Sequence, residues 1–115
     1  MKCFSSLFFL TIFSFAFGQS INWVVASDFH YYSADLGTNG KAFEAYLADD
    51  RKLLRESPQL LDAWIADVMR LDIQFVLIPG DLTKDGEMVN HLAVRNALRK
   101  LRDTHPNRPR IFVVP

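Results

Sequence analysis

Two aspartates and a histidine, each located just after an apolar segment, are the residues of this chain best suited to chemistry. Asp28 and His30 directly follow the apolar segment 21–27, and Asp81 lies two residues beyond the apolar segment 73–79. Carboxylates and a neutral imidazole form a mixed oxygen and nitrogen ligand set that suits zinc, iron or manganese. The two oxygens of Asp81 could also bridge two cations about 3.5–4 Å apart. The sequence therefore predicts a metal site.

The elements that would position these residues predict an α/β fold. Three strands and three helices are predicted, the strands over 21–27, 73–79 and 110–114 and the helices over 41–54, 57–71 and 87–103. Strands that alternate with helices in this order form parallel sheets joined by right-handed crossovers. We therefore expect a layered β-sheet sandwiched by helices, with a βαβαβ arrangement.

The predicted metal ligands occupy the sheet edge at which open α/β folds bind their ligands, beyond the carboxyl ends of the strands. If the backbone stays extended after the first strand, alternate side chains point the same way. Asp28 and His30 would then face one point, while Phe29 turns back to the core. Asp81 would arrive from the adjacent strand end, and Gly80 beside it would let backbone and metal approach closely.

Several other residues with reactive or polar side chains are interpreted as structural. Ser57 is expected to cap the second helix at its N-terminus, because a serine there precedes a proline. His91 is expected to pack at the edge of the third helix's apolar face, and His105 to be a solvated residue at that helix's end. Tyr31 and Tyr32 follow the metal motif directly. They could pack within the loop or flank a substrate, and the sequence leaves both roles open.

The N-terminal segment 1–18 has the features of a secretory signal peptide. A lysine precedes an apolar segment over 7–17, and Ala16 and Gly18 are small residues at the cleavage positions. We expect cleavage after Gly18 and a secreted or periplasmic mature chain. The apolar segment is shorter than the roughly 20 residues that span a membrane, so no stable membrane span is expected. The single cysteine, Cys3, lies inside the predicted signal, which leaves no thiol for a metal.

The charge of the chain gives no reason to expect nucleic-acid binding. Its 13 basic and 13 acidic residues balance, and removal of the predicted signal peptide leaves one more acidic than basic residue. The basic residues Arg99, Lys100 and Arg102 lie near the predicted end of the third helix, where positive charge complements the helix dipole. No nucleic-acid patch is therefore predicted.

Two short motifs resemble those of the calcineurin-like metallophosphoesterase family. They are Ser27-Asp28-Phe29-His30 and Pro79-Gly80-Asp81-Leu82-Thr83. By this resemblance, Asp28 and His30 would bind the first metal ion and Asp81 would bridge the two ions. The metals would be two divalent or trivalent ions such as manganese, iron or zinc.

The resemblance also implies a domain organisation and a reaction. Residues 19–115 would be the N-terminal part of a metallophosphoesterase domain, because the family's next motif, Gly-Asn-His followed by an acid, would come after Pro115. The expected catalytic histidine would lie beyond the same point. The implied activity is metal-assisted hydrolysis of a phosphomonoester or phosphodiester, with a small-molecule or other phosphoester substrate. The chain by itself is expected to be inactive, because it contains only three of the family's ligands.

Two other functions remain open on the sequence alone. The chain could be a non-catalytic α/β ligand-binding module in which the aspartates and the histidine serve the fold or ligand recognition. It could also be a phosphotransferase with an aspartyl nucleophile, although such enzymes commonly have Asp-x-Asp where this chain has Asp28-x-His30. Binding of two metal ions would favour the hydrolase, and no metal uptake would favour the binding module.

Overall fold

Helices and parallel strands alternate along the described part of the chain. The structure is a computed structural model that describes Gly18 and residues 20–114. Its elements are, in order, β1 (Trp23–Val25), a 3-10 turn (Ala34–Leu36), α1 (Lys41–Asp49), α2 (Ser57–Val68), β2 (Phe75–Pro79), α3 (Met88–Thr104) and β3 (Arg110–Val114). The predicted signal peptide lies, except for Gly18, outside these residues. Among the described helices, none is both long and apolar enough to cross a lipid bilayer.

The three strands form one parallel sheet in the order β1-β2-β3. Val24 of β1 lies beside Val76 of β2, and Val76 lies beside Ile111 of β3. Both neighbouring pairs are parallel, so the carboxyl ends of the strands share one edge. This arrangement confirms the predicted α/β class and the parallel strand order, and it brings the segments that follow β1 and β2 together.

The hydrophobic core lies between the sheet and the helices α2 and α3. Both helices contribute an apolar stripe, and β2 contributes alternate side chains that are fully buried. The buried cluster consists of Leu61, Val68, Ile73, Val76, Ile78, Val94, Leu98 and Leu101. Each of these side chains is at most 7% exposed, so α2 and α3 are fixed firmly on one face of the sheet.

The opposite face of the sheet is apolar and open, and this corrects the predicted sandwich. Trp23 and Phe112 are 52% and 50% exposed, and Val25 and Val114 are exposed as well. The rings of Trp23 and Phe75 stack with their centroids 5.7 Å apart on this face. Over the described range, helices therefore cover one face only, and these residues do not form the predicted sandwich.

The bounds of several elements differ from the predicted ones. β1 ends at Val25, although the amide of Ala26 still donates to the carbonyl of Leu77 at 3.0 Å. Helix α1 ends at Asp49, where its apolar pattern breaks. Ser57 is not the N-cap of α2, because Glu56 occupies that position and Ser57 is already helical. The hydroxyl of Ser57 instead donates to the carbonyl of Leu54 at 2.9 Å.

Candidate metal centre

Backbone hydrogen bonds join the two loops that carry the predicted ligands. The amide of His30 donates to the carbonyl of Asp81 at 3.0 Å, and the amide of Tyr31 donates to the carbonyl of Leu82 at 3.0 Å. The amide of Lys84 donates back to the carbonyl of Tyr31 at 3.1 Å. The loop after β1 and the loop after β2 therefore run side by side beyond the ends of their strands.

This pairing brings all three predicted ligands together. One ligand atom from each of Asp28, His30 and Asp81 lies within 4.8 Å of the other two. The Nε2 atom of His30 is 3.6 Å from Oδ1 of Asp28 and 4.0 Å from Oδ2 of Asp81. Both distances exceed the roughly 2.7–3.2 Å of a direct hydrogen bond. Two atoms that each lie about 2.0–2.2 Å from one metal ion are at most about 4.4 Å apart, so both separations from His30 are short enough for a shared cation.

The three ligands also have an unusual backbone conformation. The φ angles are 59° at Asp28, 42° at His30 and 47° at Asp81. Among the described residues, only one other non-glycine residue, Arg108, has a positive φ. Aspartate and histidine tolerate this left-handed region better than most residues, yet each such residue costs of order 1–3 kcal/mol. Strain of this kind concentrates at functional sites, where the surrounding structure imposes it.

The left-handed backbone corrects the predicted route to this geometry. Asp28 and His30 do converge, and Phe29 does turn back to the core, where its ring lies 5.0 Å from that of Trp64. However, the backbone here is not extended. β1 has already ended, and the left-handed turns of Asp28 and His30 orient the side chains within this loop. The convergence was predicted correctly, but the alternation of an extended strand does not produce it.

Gly80 has a conformational role next to Asp81. Its φ angle is 105°, a region that side chains rarely occupy. Apart from Gly80 and its two chain neighbours, no atom of the described residues lies within 4 Å of the position that a Cβ atom would take. The sharp turn out of β2 therefore explains this glycine, and crowding by protein atoms does not. Further along, the hydroxyl of Thr83 accepts a hydrogen bond from the amide of Gly86 at 3.1 Å, which gives Thr83 a structural role.

His30 presents its two ring nitrogens to different surroundings. Its side chain is only 16% exposed, whereas those of Asp28 and Asp81 are 62% and 70% exposed. Nε2 faces both carboxylates and is the nitrogen available to a metal. Nδ1 is buried and has no hydrogen-bond partner among the described residues. In most metal-bound histidines a hydrogen bond to the second ring nitrogen fixes the orientation of the ring. Because Nδ1 of His30 has no such partner among the described residues, the ring is oriented by packing.

Two buried polar side chains fix the segment that follows His30. Ser57 accepts a hydrogen bond from the amide of Tyr32 at 2.9 Å. Asn90, which is completely buried, accepts one from the amide of Ser33 at 2.8 Å and donates to Glu87 at 2.8 Å. These contacts tie the ligand loop to α2 and α3. The sequence predicted only a capping role for Ser57 and no role for Asn90, because their partners lie 25 and 57 positions away.

Replacement of Asn90 with alanine is expected to destabilise the protein by about 1–3 kcal/mol, because the buried amide of Ser33 and the side chain of Glu87 lose their partner. Urea unfolding followed by circular dichroism measures this change. Asn96→Ala is the matched control, since Asn96 is an exposed asparagine of the same helix. Equal stability of the two variants would contradict the role assigned to Asn90.

The remaining residues from the sequence analysis lie outside the cluster. Tyr31 packs against the core, and its burial together with the carboxylates of Asp62 and Asp35 raises the pKa of its hydroxyl. The Tyr32 hydroxyl donates to the carbonyl of Gly37 at 2.9 Å, so both tyrosines pack within the protein.

The predictions for the two other histidines are wrong. His105 is not solvated, since it is 2% exposed and its Nε2 lies 3.1 Å from the carbonyl oxygen of Leu71. Its Nδ1 accepts a hydrogen bond from the amide of Asn107 at 3.1 Å. His105 therefore joins the end of α3 to the end of α2. His91, which was expected to pack, is exposed on the surface of α3.

Comparisons with known proteins add no family assignment. No family model matches the chain, and no curated protein is significantly similar to it. The resemblance to calcineurin-like metallophosphoesterases therefore rests on the two short motifs around the cluster. The geometry of Asp28, His30 and Asp81 is accordingly the main basis for a functional proposal.

Proposed function

We propose that this protein is a metal-dependent phosphoester hydrolase that uses a dinuclear metal centre, and that it acts after export from the cytoplasm. Asp28 and His30 would hold one metal ion and Asp81 would bridge to a second. The observation that carries the proposal is the convergence of these three side chains from two loops, each residue in a strained left-handed conformation. The two motifs that resemble the metallophosphoesterase family support the choice of reaction.

The ligand set suits this chemistry through its charge and its access to solvent. When bound, divalent cations supply Lewis-acid polarisation of a phosphoryl oxygen and lower the pKa of water toward neutrality. Asp28 and Asp81 provide the negative charge that attracts such cations, and both remain more than half exposed. The partly buried ring of His30 offers a nitrogen ligand between them. A phosphoester can therefore reach the cluster from the open side of the loops.

Metal binding and anion binding together test this proposal. We expect calorimetric titration of the 115-residue chain with Mn²⁺ to show binding that the His30→Ala variant lacks. Tungstate, a phosphate analogue, should then bind the Mn²⁺-loaded chain and not the chain treated with a chelator, because cations at the cluster recognise the oxyanion. Absence of Mn²⁺ binding would contradict the metal site and favour the non-catalytic binding module. Mn²⁺ binding with no effect on tungstate would contradict a phosphoester hydrolase.

Turnover is expected to be absent in the chain by itself. The cluster offers three donors among the described residues, and two metal ions each require about four or more ligands. We therefore expect p-nitrophenyl phosphate hydrolysis with Mn²⁺ to be no faster than in the His30→Ala variant. Faster hydrolysis would contradict this expectation, although it would support the proposed reaction.

A further inference from the structure

A groove runs between helix α3 and the outer strand β3, on the helix-covered side of the sheet. Its volume is about 660 Å³, and none of the three proposed metal ligands lines it. Val94 and Leu98 of α3 and Ile111 and Val113 of β3 form an aliphatic floor. Val94 is 1% exposed, whereas Val113 is 43% exposed, so the groove opens toward the outer edge of the sheet.

The rim of this groove is strongly basic. Arg95, Arg99 and Arg102 of α3 line it together with Arg110 at the start of β3. Spacings of four and three residues place the three helical arginines on one face of α3. Arg102 contacts Asp103 at 2.8 Å, but this pair is half-exposed and worth little. Among the described residues, no acidic side chain lines the groove, so its positive charge has no counterpart there.

The outer edge of β3 also offers unused backbone groups. Among the described strands, β3 pairs only with β2, and the amide of Arg110 donates to the carbonyl of Gln74 at 3.0 Å on that side. Backbone groups alternate in direction along a strand of a parallel sheet. Because those of Arg110 point toward β2, those of Ile111 and Val113 point away from it, to the outer edge of the sheet. Such an edge is a template on which another strand can form.

We propose that this groove binds an extended acidic polypeptide segment, which adds a fourth strand beside β3. The segment's main chain bonds to the exposed backbone of Ile111 and Val113, which is the mode of β-strand addition. Its Asp or Glu side chains pair with the arginines of the rim through charge-assisted hydrogen bonds. Apolar side chains on the same face of the segment cover Val94 and Leu98.

The floor of the groove favours a peptide over a nucleic acid. Proteins that bind single-stranded nucleic acid stack the bases on aromatic rings. The side chains of the floor are aliphatic, and the ring of Phe112 lies on the opposite face of the sheet, where its centroid is 6.3 Å from that of Phe75. The arginines alone would attract either polymer, but the apolar floor and the strand edge match an extended polypeptide.

Fluorescence anisotropy tests this proposal on the 115-residue chain with a labelled decapeptide that has valine and glutamate in turn at its odd positions and threonine at its even positions, because alternate side chains of a strand share one face. We expect saturable binding that weakens about tenfold or more in the triple variant R95E/R99E/R102E, because three charged pairs of up to about 1 kcal/mol each are lost. Peptides N-methylated at either the odd or the even positions test the strand pairing. One of the two should lose binding, because its methyl groups block the amides that face β3.

The matched control is the triple variant K41E/R51E/R70E, which makes the same charge change at exposed residues outside the groove. Circular dichroism confirms that both triple variants are folded. Equal loss of binding in the control, or unchanged binding of both N-methylated peptides, would overturn the proposal. It would also be overturned if oligodeoxythymidylate bound as tightly as the peptide. Concentration-dependent dimerisation that only R95E/R99E/R102E abolishes would assign the groove to a second copy of the chain and likewise overturn it.

Discussion

Replacement of Asp81 with asparagine is expected to lower Mn²⁺ affinity by about 100-fold. Mutation of residues that only hydrogen-bond to a metal ligand already lowers metal affinity by about 10–100-fold. An asparagine keeps the size of the side chain and tolerates the φ angle of 47° that the turn imposes at this position. The loss would therefore reflect the missing negative oxygen and not a changed backbone. Calorimetric titration of the parent and the variant at the same pH measures the difference.

Asp85→Asn is the control for this experiment. Asp85 lies in the same loop and is exposed, but its carboxylate pairs with Lys84 and does not belong to the cluster. The control therefore makes the same change in net charge without removing a ligand. If both variants lost Mn²⁺ affinity equally, the effect would come from the general charge of the loop, and Asp81 would not be a ligand.

Truncation of Leu101 to alanine is expected to lower the free energy of unfolding by about 3 kcal/mol, within the range of about 2–5 kcal/mol measured for buried leucines. Leu101 is fully buried in the cluster between α3 and the sheet. The change removes its contacts and leaves a cavity beneath the helix that carries Asn90. Because domains of this size are stable by about 5–15 kcal/mol, this is a large fraction of the total. Urea denaturation measures it.

Leu92→Ala in the same helix provides the comparison. Leu92 is 39% exposed and lies outside the buried cluster, so the same chemical deletion should cost less than about 1 kcal/mol. Similar losses in the two variants would show that α3 does not pack against the sheet through Leu101. A much lower stability of the Leu101 variant than of the Leu92 variant agrees with a core that lies between α3 and the sheet.

The sequence predicted the sheet well where strands are long and apolar. β3 matches the predicted range 110–114, and β2 occupies Phe75–Pro79 within the predicted range 73–79. β1 is shorter than predicted, because the chain leaves the sheet to form the ligand loop. The open apolar face was not anticipated, since a continuous apolar segment does not distinguish a strand covered on both faces from one covered on a single face.

The sequence predicted which residues converge at the site, but not the backbone conformation that brings them together. The positions of Asp28, His30 and Asp81 after apolar segments were enough to bring them to one sheet edge. Their left-handed conformations depend on the contact between two loops and have no signal in the residue types alone. The hydrogen bonds from the ligand loop to Ser57 and Asn90 could not be predicted for a related reason. A polar side chain whose partner is distant in sequence resembles a helix cap or a solvated residue until the fold is known.

The hydrogen bonds between the two ligand loops have a consequence for local motion. The bond from the amide of His30 to the carbonyl of Asp81 must break before either loop can move away from the other. Tyr31 and Lys84 add two further bonds that break in the same event. Local opening usually occurs in such cooperative units. Solvent exchange of these amides therefore reports a single fluctuation, in which Asp81 moves away from Asp28 and His30 together.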